Sequence, residues 1–366
     1  MQATLSFLYK LATCSIITLM MSTMSCRASV VALGLLLLLG AAVSASARPL
    51  TLTTLPTNDT SASGGLSVYF HLGSCPQLET IVRSHVDAAL RQNVRLTAGL
   101  LRVFFHDCFP QGCDASILLD NGERNLPPNV GLQQEVLQLI EDIRAEVHAQ
   151  CGATVSCADI TVLATRDAVN LAGGPAFTVP LGRLDSLAPA PDSDVFKLPP
   201  PTATVDDLLA AFGNAGLSDP ADLVSLSGAH TVGRARCSSF GAVSGPAGDD
   251  VTRCITETCS AAGSGDRLRD LDFLTPSVFD NLYFIELTLK KNQGVMLPSD
   301  QALVTDSRTS WLVQGFADNH WWFFDQFKTS MVKMSQLKGP QGNVGEVRRN
   351  CFRRNTGDEG LLAASA

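Results

Sequence analysis

Basic residues are in deficit in this 366-residue chain: 27 Lys and Arg stand against 35 Asp and Glu, for a formal net charge of −8. A deficit of that size excludes the basic face that tracks a phosphate backbone, so nucleic acid is not an expected partner. Charged residues are also few overall, at 17%, while hydrophobic residues reach 45%. That balance excludes intrinsic disorder, and 29 Gly with 18 Pro and no triplet period exclude a collagen-like repeat. No CxxC pair occurs among the eleven cysteines, which argues against structural zinc. Beyond residue 47 no segment approaches 18 uninterrupted apolar residues, so no transmembrane helix is expected. Internal repeats are absent, and strand-type alternation is nearly so.

The first 47 residues hold no Asp or Glu, one Lys and one Arg. Arg27, the apolar run from Val30 to Leu39 and the small residues Ala45-Ser46-Ala47 have the order of a secretory signal, with cleavage expected before Arg48. Removing Lys10 and Arg27 takes the formal charge from −8 to −10. A second apolar run, Leu5 to Met20, is more than one signal needs, which suggests initiation at Met21 or Met24. Residues 48–65 are small and polar and read as a flexible mature N-terminus, in which Asn58-Asp59-Thr60 is a glycosylation acceptor pattern. Cysteine usage agrees with export. Nine remain after the leader: Cys75, Cys108, Cys113, Cys151, Cys157, Cys237, Cys254, Cys259 and Cys351. An oxidising compartment would pair most of them and leave one over.

From Cys75 onward the helical period dominates. Leu78, Ile81, Val82, His85, Val86, Ala89 and Leu90 mark one amphipathic helix, and Leu100, Leu101, Phe104 and Phe105 the next. Leu132 to Val147 give a third, and Ile160 to Asp167 a fourth that stops at Gly173-Gly174. A Pro-rich connector from Pro175 to Pro201 is the natural division between two lobes. After it, Thr204-Val205-Asp206-Asp207 reads as a capping box opening a helix to Phe212, and Asp219-Pro220 opens another to about Ala229. Residues 241–266 read as loop. Thr275-Pro276 predicts a helix start running through Phe279, Tyr283 and Leu287, with final helices over about 306–317 and 322–334. The fold class expected is all-α, in two helical lobes.

The densest chemistry lies in Leu100-Leu101-Arg102-Val103-Phe104-Phe105-His106-Asp107-Cys108. On a helix, Arg102 and His106 stand at i and i+4, so a permanent cation and a titratable imidazole share a face suited to proton relay with anion stabilisation. A solvated Arg and His is the bland reading of that pair. Asp107, Asp114 and Ser116 bracket a tight loop containing Gly112 and gather hard oxygen donors of the kind calcium takes. A capped polar turn is the bland alternative there. Farther on, Leu226-Ser227-Gly228-Ala229-His230-Thr231 sets a second His beside a hydroxyl, and Asp272, Thr275 and Asp280 form a second oxygen-rich patch.

Together these motifs strongly resemble the class III plant secretory haem peroxidases. Phe105-His106-Asp107-Cys108-Phe109 with Gly112-Cys113-Asp114-Ala115-Ser116 resembles the family's distal motif, and Leu226 to Thr231 its proximal one. The resemblance covers about residues 66–355. It implies a two-lobed haem peroxidase fold, with haem between a distal lobe of about 66–190 and a proximal lobe of about 191–355, four disulfides and a tail at 356–366.

The resemblance further implies one haem b and two calcium ions per chain. His106 would be the distal acid/base, Arg102 the distal cation and Asn129 the residue orienting His106, with Glu123 in the same network. His230 would be the proximal iron ligand, with Asp300 accepting its other ring proton, and Pro180 would sit at the haem edge where donors approach. One calcium would take Asp107, Pro110, Gly112, Asp114 and Ser116, and the other Thr231, Asp272, Thr275, Val278 and Asp280. The implied bridges are Cys75–Cys151, Cys108–Cys113, Cys157–Cys351 and Cys237–Cys259, although Cys254 lies close enough in sequence to replace Cys259. Phe105 and Leu271 stand where intracellular relatives carry Trp, which sets the chain apart from the ascorbate and cytochrome c peroxidases.

The activity this implies is reduction of hydrogen peroxide by one-electron withdrawal from small phenolic donors. The enzyme is expected to be a monomer without a membrane partner, secreted to the apoplast, with the vacuole as the alternative address. A catalytically silent wall-binding protein on the same fold is the rival reading.

Overall fold

The computed structural model describes residues 65–120, 122–240, 259, 267–289, 296–340 and 342–355. The leader, Asn58, Cys254 and the tail at 356–366 lie outside the described residues, as does the 241–266 loop apart from Cys259.

Helix α1 (Leu78–Gln92) turns Leu78, Ile81, Val82, Val86 and Leu90 inward, the stripe its sequence period presents. It packs with α2 (Leu96–Gln111), α3 (Gln134–Cys151) and α4 (Cys157–Leu171). Helix α4 is the buried centre of this group, hidden from Cys157 to Val169. Such a helix needs its free first-turn amides satisfied from within the protein. Ser156 Oγ accepts from Asp159 N, and the fully buried Asp185 accepts from Cys157 N at 3.1 Å and Ala158 N at 2.9 Å. Asp185 also accepts from Arg348 N at 2.9 Å. Burial pushes its carboxyl up to about 6 despite these donors and the nearby Arg348 guanidinium.

The second group begins with α5 (Val205–Asn214). Its capping box is formed: Asp207 N donates to Thr204 Oγ1 at 3.2 Å and Thr204 N to Asp207 Oδ2 at 3.1 Å. Helix α6 (Pro220–Ser227) is capped by Asp219 with Pro220 in its first turn, and tightens into a 3₁₀ turn over Gly228–Thr231. Strand β1 (Arg234–Arg236) then pairs antiparallel with β2 (Leu268–Asp270), Arg234 opposite Asp270 and Arg236 opposite Leu268. Helices α7 (Leu282–Leu289), α8 (Pro298–Thr305), α9 (Ser310–Asp318) and α10 (His320–Met334) complete the group. One continuous hydrophobic cluster joins both groups, including Phe104 and Leu163 from the first and Phe279 and Phe327 from the second.

Two expectations about the second group are corrected. No helix starts at Thr275-Pro276. The hydroxyl that would cap it is engaged elsewhere, donating to Asp280 Oδ2 at 3.0 Å, and the helix waits until Leu282. Residues 306–309 form a turn rather than the start of a helix, because Asp306 Oδ1 accepts from Arg308 N at 2.8 Å. Helix α9 therefore begins only at Ser310. Helix α8 forms where the sequence analysis places no element.

Among the described residues the four bridges are Cys75–Cys151, Cys108–Cys113, Cys157–Cys351 and Cys237–Cys259. Cys259 is thus the partner of Cys237. Accordingly, Cys254→Ser should fold normally and keep all four bridges, whereas Cys259→Ser should lose about 2–5 kcal/mol of stability. Thermal unfolding together with non-reducing peptide mapping checks this. A peptide linking Cys237 to Cys254 in the wild type would reverse the assignment.

Candidate active site

Helix α2 presents Arg102 and His106 one turn apart, and the segment 123–131 closes on them from the side. His106 Nδ1 lies 2.6 Å from Asn129 Oδ1, and Asn129 Nδ2 donates to the Glu123 carbonyl at 2.8 Å. The amide is thereby fixed with its oxygen toward the ring, so Nδ1 carries the proton. The opposite nitrogen, Nε2, is left as an acceptor facing Arg102 Nε at 3.4 Å. His106 is pulled down to about 4, first by burial and then by the Arg102 charge, against the opposing pull of Asn129. A neutral imidazole with its Nε2 lone pair shared only with the Arg102 N–H is a proton acceptor over the whole neutral range.

Arg102 is held in place by main-chain oxygens, donating to Gly131 O and Pro128 O, each at 3.2 Å. Its pKa is lowered, first by desolvation and then by a neighbouring cation, Arg236 of β1. Arg236 therefore lies within electrostatic reach of Arg102. Gly233, just ahead of β1, has φ +102°, and a Cβ there would stand 2.8 Å from Ala98 Cβ on α2. The close approach of 233 to 98 draws the strand after His230 against the helix that carries His106.

His230 occupies the 3₁₀ turn after α6. Its Nδ1 is 3.0 Å from Asp300 Oδ1, and Asp300 is buried at the first turn of α8. Tyr283 Oη donates to the same carboxylate oxygen at 2.9 Å. Burial alone would lower the His230 pKa, but the Asp300 carboxylate outweighs it and the net direction is upward. With Nδ1 committed to Asp300, Nε2 is the nitrogen of this 36% exposed ring that could act as a ligand.

Two oxygen clusters flank these histidines. At the end of α2, Asp107 Oδ2 accepts from Ala115 N at 3.0 Å, while its buried Oδ1 has no hydrogen-bond partner among the described residues. Asp107 is raised well above the usual carboxylate range, first by burial and then by Asp114. Gly112 and Ser116 complete the loop, which Cys108–Cys113 closes, and Pro110 sits buried in the last turn of α2. On the other side, Thr231 Oγ1 lies 3.1 Å from Asp272 Oδ2 and 3.3 Å from Asp280 Oδ1, and Thr275 Oγ1 reaches Asp280 Oδ2. Asp272 is pushed up to about 6, mainly by burial, with the Asp280 charge adding to it. No group of three or more His, Cys, Asp or Glu side chains arranged for a metal ion occurs among the described residues. Each cluster instead combines carboxylates with hydroxyl oxygens.

The structure brings Arg102, His106 and Asn129 into one hydrogen-bonded unit, and His230 with Asp300 into another. Pro180 is partly exposed, and its carbonyl accepts from Arg183 Nη1 at 2.7 Å. Two participants had no site signal in the sequence. Tyr283 reads there only as an apolar helix position, and Arg236 carries no reading at all.

A chain with this arrangement can be set against known proteins. The peroxidase family model matches residues 82–319. The cationic peroxidase SPC4 of Sorghum bicolor is 46% identical over 310 residues, covering 81% of this chain and 84% of that protein. Peroxidase 12 of Arabidopsis thaliana is 41% identical over 303 residues, 80% and 83% of the two chains. Peroxidase 42 of Zea mays is 42% identical over 303 residues, 81% and 92% of the two chains. The chain belongs to the peroxidase family, as a class III plant peroxidase. It is a peroxidase enzyme with the family's helical fold and four disulfides. The family implies haem as its cofactor, and hydrogen peroxide with an electron donor as its substrates. Among the described residues no helix is long and apolar enough to cross a membrane.

Proposed function

We propose that this peroxidase is a secreted, monomeric haem b enzyme that oxidises small phenols, with His106 as acid/base, Arg102 as charge stabiliser and His230 as the iron ligand. The observation that carries this reading is the fixed tautomer of His106: a proton on Nδ1, held by Asn129, and a lone pair on Nε2 beside Arg102. His106 Nε2 can take a proton from hydrogen peroxide and return it to the oxygen that leaves as water. Arg102, locked on two carbonyls, offers a fixed positive charge to the oxygen as negative charge develops. The donor set also fits haem, since His230 has one nitrogen bound to a buried carboxylate and the other unclaimed. Bound there, haem would supply the redox centre that accepts two oxidising equivalents from peroxide and passes them on singly. Asp300 keeps the ring oriented and electron-rich. Pro180 is proposed to border the edge where small phenols approach. Two lobes, about 66–190 and 191–355, would then face each other across the cofactor.

The unpartnered Asp107 Oδ1 supports a calcium ion held by Asp107, Asp114 and Ser116, with carbonyls from Asp107, Pro110 and Gly112. The convergence of Thr231, Asp272, Thr275 and Asp280 supports a second, with the Val278 carbonyl. Chelation should lower activity and thermal stability together, because Asp107 is adjacent to His106 and uncompensated carboxylates repel. Metal analysis of active protein that finds no calcium would refute this.

The whole proposal is tested by refolding the protein with haem and calcium, recording the Soret band, and assaying with peroxide and a phenol. A haem-free product inert toward peroxide would overturn it.

A further inference from the structure

All three tryptophans of the chain, Trp311, Trp321 and Trp322, lie on α9 and the start of α10, and all three are exposed, at 58%, 73% and 37%. Large indoles on a protein surface are usually scattered; here they adjoin one another and lead inward. Trp311 and Trp322 have ring centroids 6.1 Å apart, and Trp322 meets the buried Phe316 edge-on at 5.1 Å. Phe316 meets Phe284 at 5.3 Å, Phe284 meets Tyr283 at 4.9 Å, and Tyr283 meets His230 at 6.0 Å. Every link is an aromatic contact at the spacing of packed rings. The line ends on the histidine whose partner, Asp300, also accepts from Tyr283. Trp321 joins through Phe324 at 6.4 Å.

We infer that Trp311 and Trp322 form a second electron-entry site, joined through Phe316, Phe284 and Tyr283 to His230, which oxidises phenols carried on macromolecules too large for the haem edge. This rests on the proposed haem at His230. Indole is the readily oxidised group at the outer end, and the Phe rings serve as contacts along the way. Reduction of one hydrogen peroxide to two waters consumes two electrons and two protons. In each of two turns, one electron leaves the Trp322–Trp311 pair toward His230, and the oxidised indole releases its Nε1 proton to solvent. A phenol then gives that indole a hydrogen atom, restoring the N–H and leaving as a phenoxyl radical. Two phenols therefore balance one peroxide.

The substrate class follows from shape. The indoles stand on the outer side of a corner where α9 and α10 meet at Asn319, and a donor need not enter a cleft to touch them. A phenol that can enter gains nothing from this site. A phenol tethered to a polymer depends on it.

The test compares one phenol in two forms, free and coupled to dextran, with haem-loaded wild type and the Trp311→Phe/Trp322→Phe variant. Phenylalanine keeps the packing against Phe316 and removes the oxidisable ring. Oxidation of the dextran-bound phenol should fall by about tenfold or more, while free phenol is oxidised at the wild-type rate. Independently of turnover, peroxide with a nitroso spin trap and no donor should leave an adduct on Trp311 or Trp322 that peptide mass spectrometry locates. An unchanged rate with dextran-bound phenol, an equal loss with both forms, or adducts confined to other residues would overturn the inference. Wild type that oxidises free phenol but not the dextran form sinks this inference alone. Wild type inert toward both sinks the proposed function with it.

Discussion

Replacing His106 by alanine is expected to slow the reaction with hydrogen peroxide by about two to four decades, the range that a positioned acid/base supplies, while haem is still taken up. The size of the effect follows from how completely the site is built around one nitrogen. Asn129 holds the proton on Nδ1, burial and Arg102 keep the ring neutral, and Nε2 is directed toward the guanidinium. Alanine removes the acceptor and leaves Arg102 on its two carbonyls, so charge stabilisation survives without proton transfer. Rapid mixing of the haem-loaded variant with peroxide, followed in the Soret region, measures the step directly. A wild-type rate would remove His106 from its role.

His230→Ala is expected to act on the other side, by loss of haem or a change in its spin state. Alanine there leaves Asp300 with only the Tyr283 hydroxyl on its Oδ1, and a buried carboxylate stripped of its main partner. That combination makes the variant less stable as well as unable to supply a ring nitrogen. Absorbance spectra and haem-to-protein stoichiometry give the answer. An unaltered haem spectrum would contradict the assignment of His230 as ligand.

Much of this was legible in the sequence where a short local signal decides the structure. Thr204 and Asp207 carry the capping box that forms, and Asp219-Pro220 opens α6 as its residues demand. The bracketing of Arg102 and His106 on one helical face survives intact because four residues of α-helix fix it. What was not legible depends on distant partners. Helix α8 has Leu297 at its N-cap and no capping side chain, so Pro298 at its first position and Asp300 in its first turn are the only local signs of its start. Thr275-Pro276 has the form of a helix start, yet the Thr275 hydroxyl is drawn to Asp280 instead. Tyr283 gives no polar signal in sequence, because its hydroxyl acquires meaning only when α8 brings Asp300 to it. The pairing of Cys237 lies between these cases. The resemblance favoured Cys259, and the folded chain joins the two.

The loop that follows His106 is fastened by residues made more than two hundred positions later. A Cβ at Gly112 would lie 2.5 Å from Gly339 N, Cys113 N donates to Leu337 O at 3.3 Å, and Arg348 Nη1 donates to Ala115 O at 2.8 Å. Cys157–Cys351 closes the same neighbourhood across a separation of 194 residues. During vectorial synthesis the helix bearing Arg102 and His106 leaves the ribosome long before its clasp exists. Cys108 and Cys113 can pair as soon as both are made, whereas the nascent chain must keep Cys157 from wrong partners until Cys351 arrives. The order of translation thus makes the earliest part of the site the last to be completed.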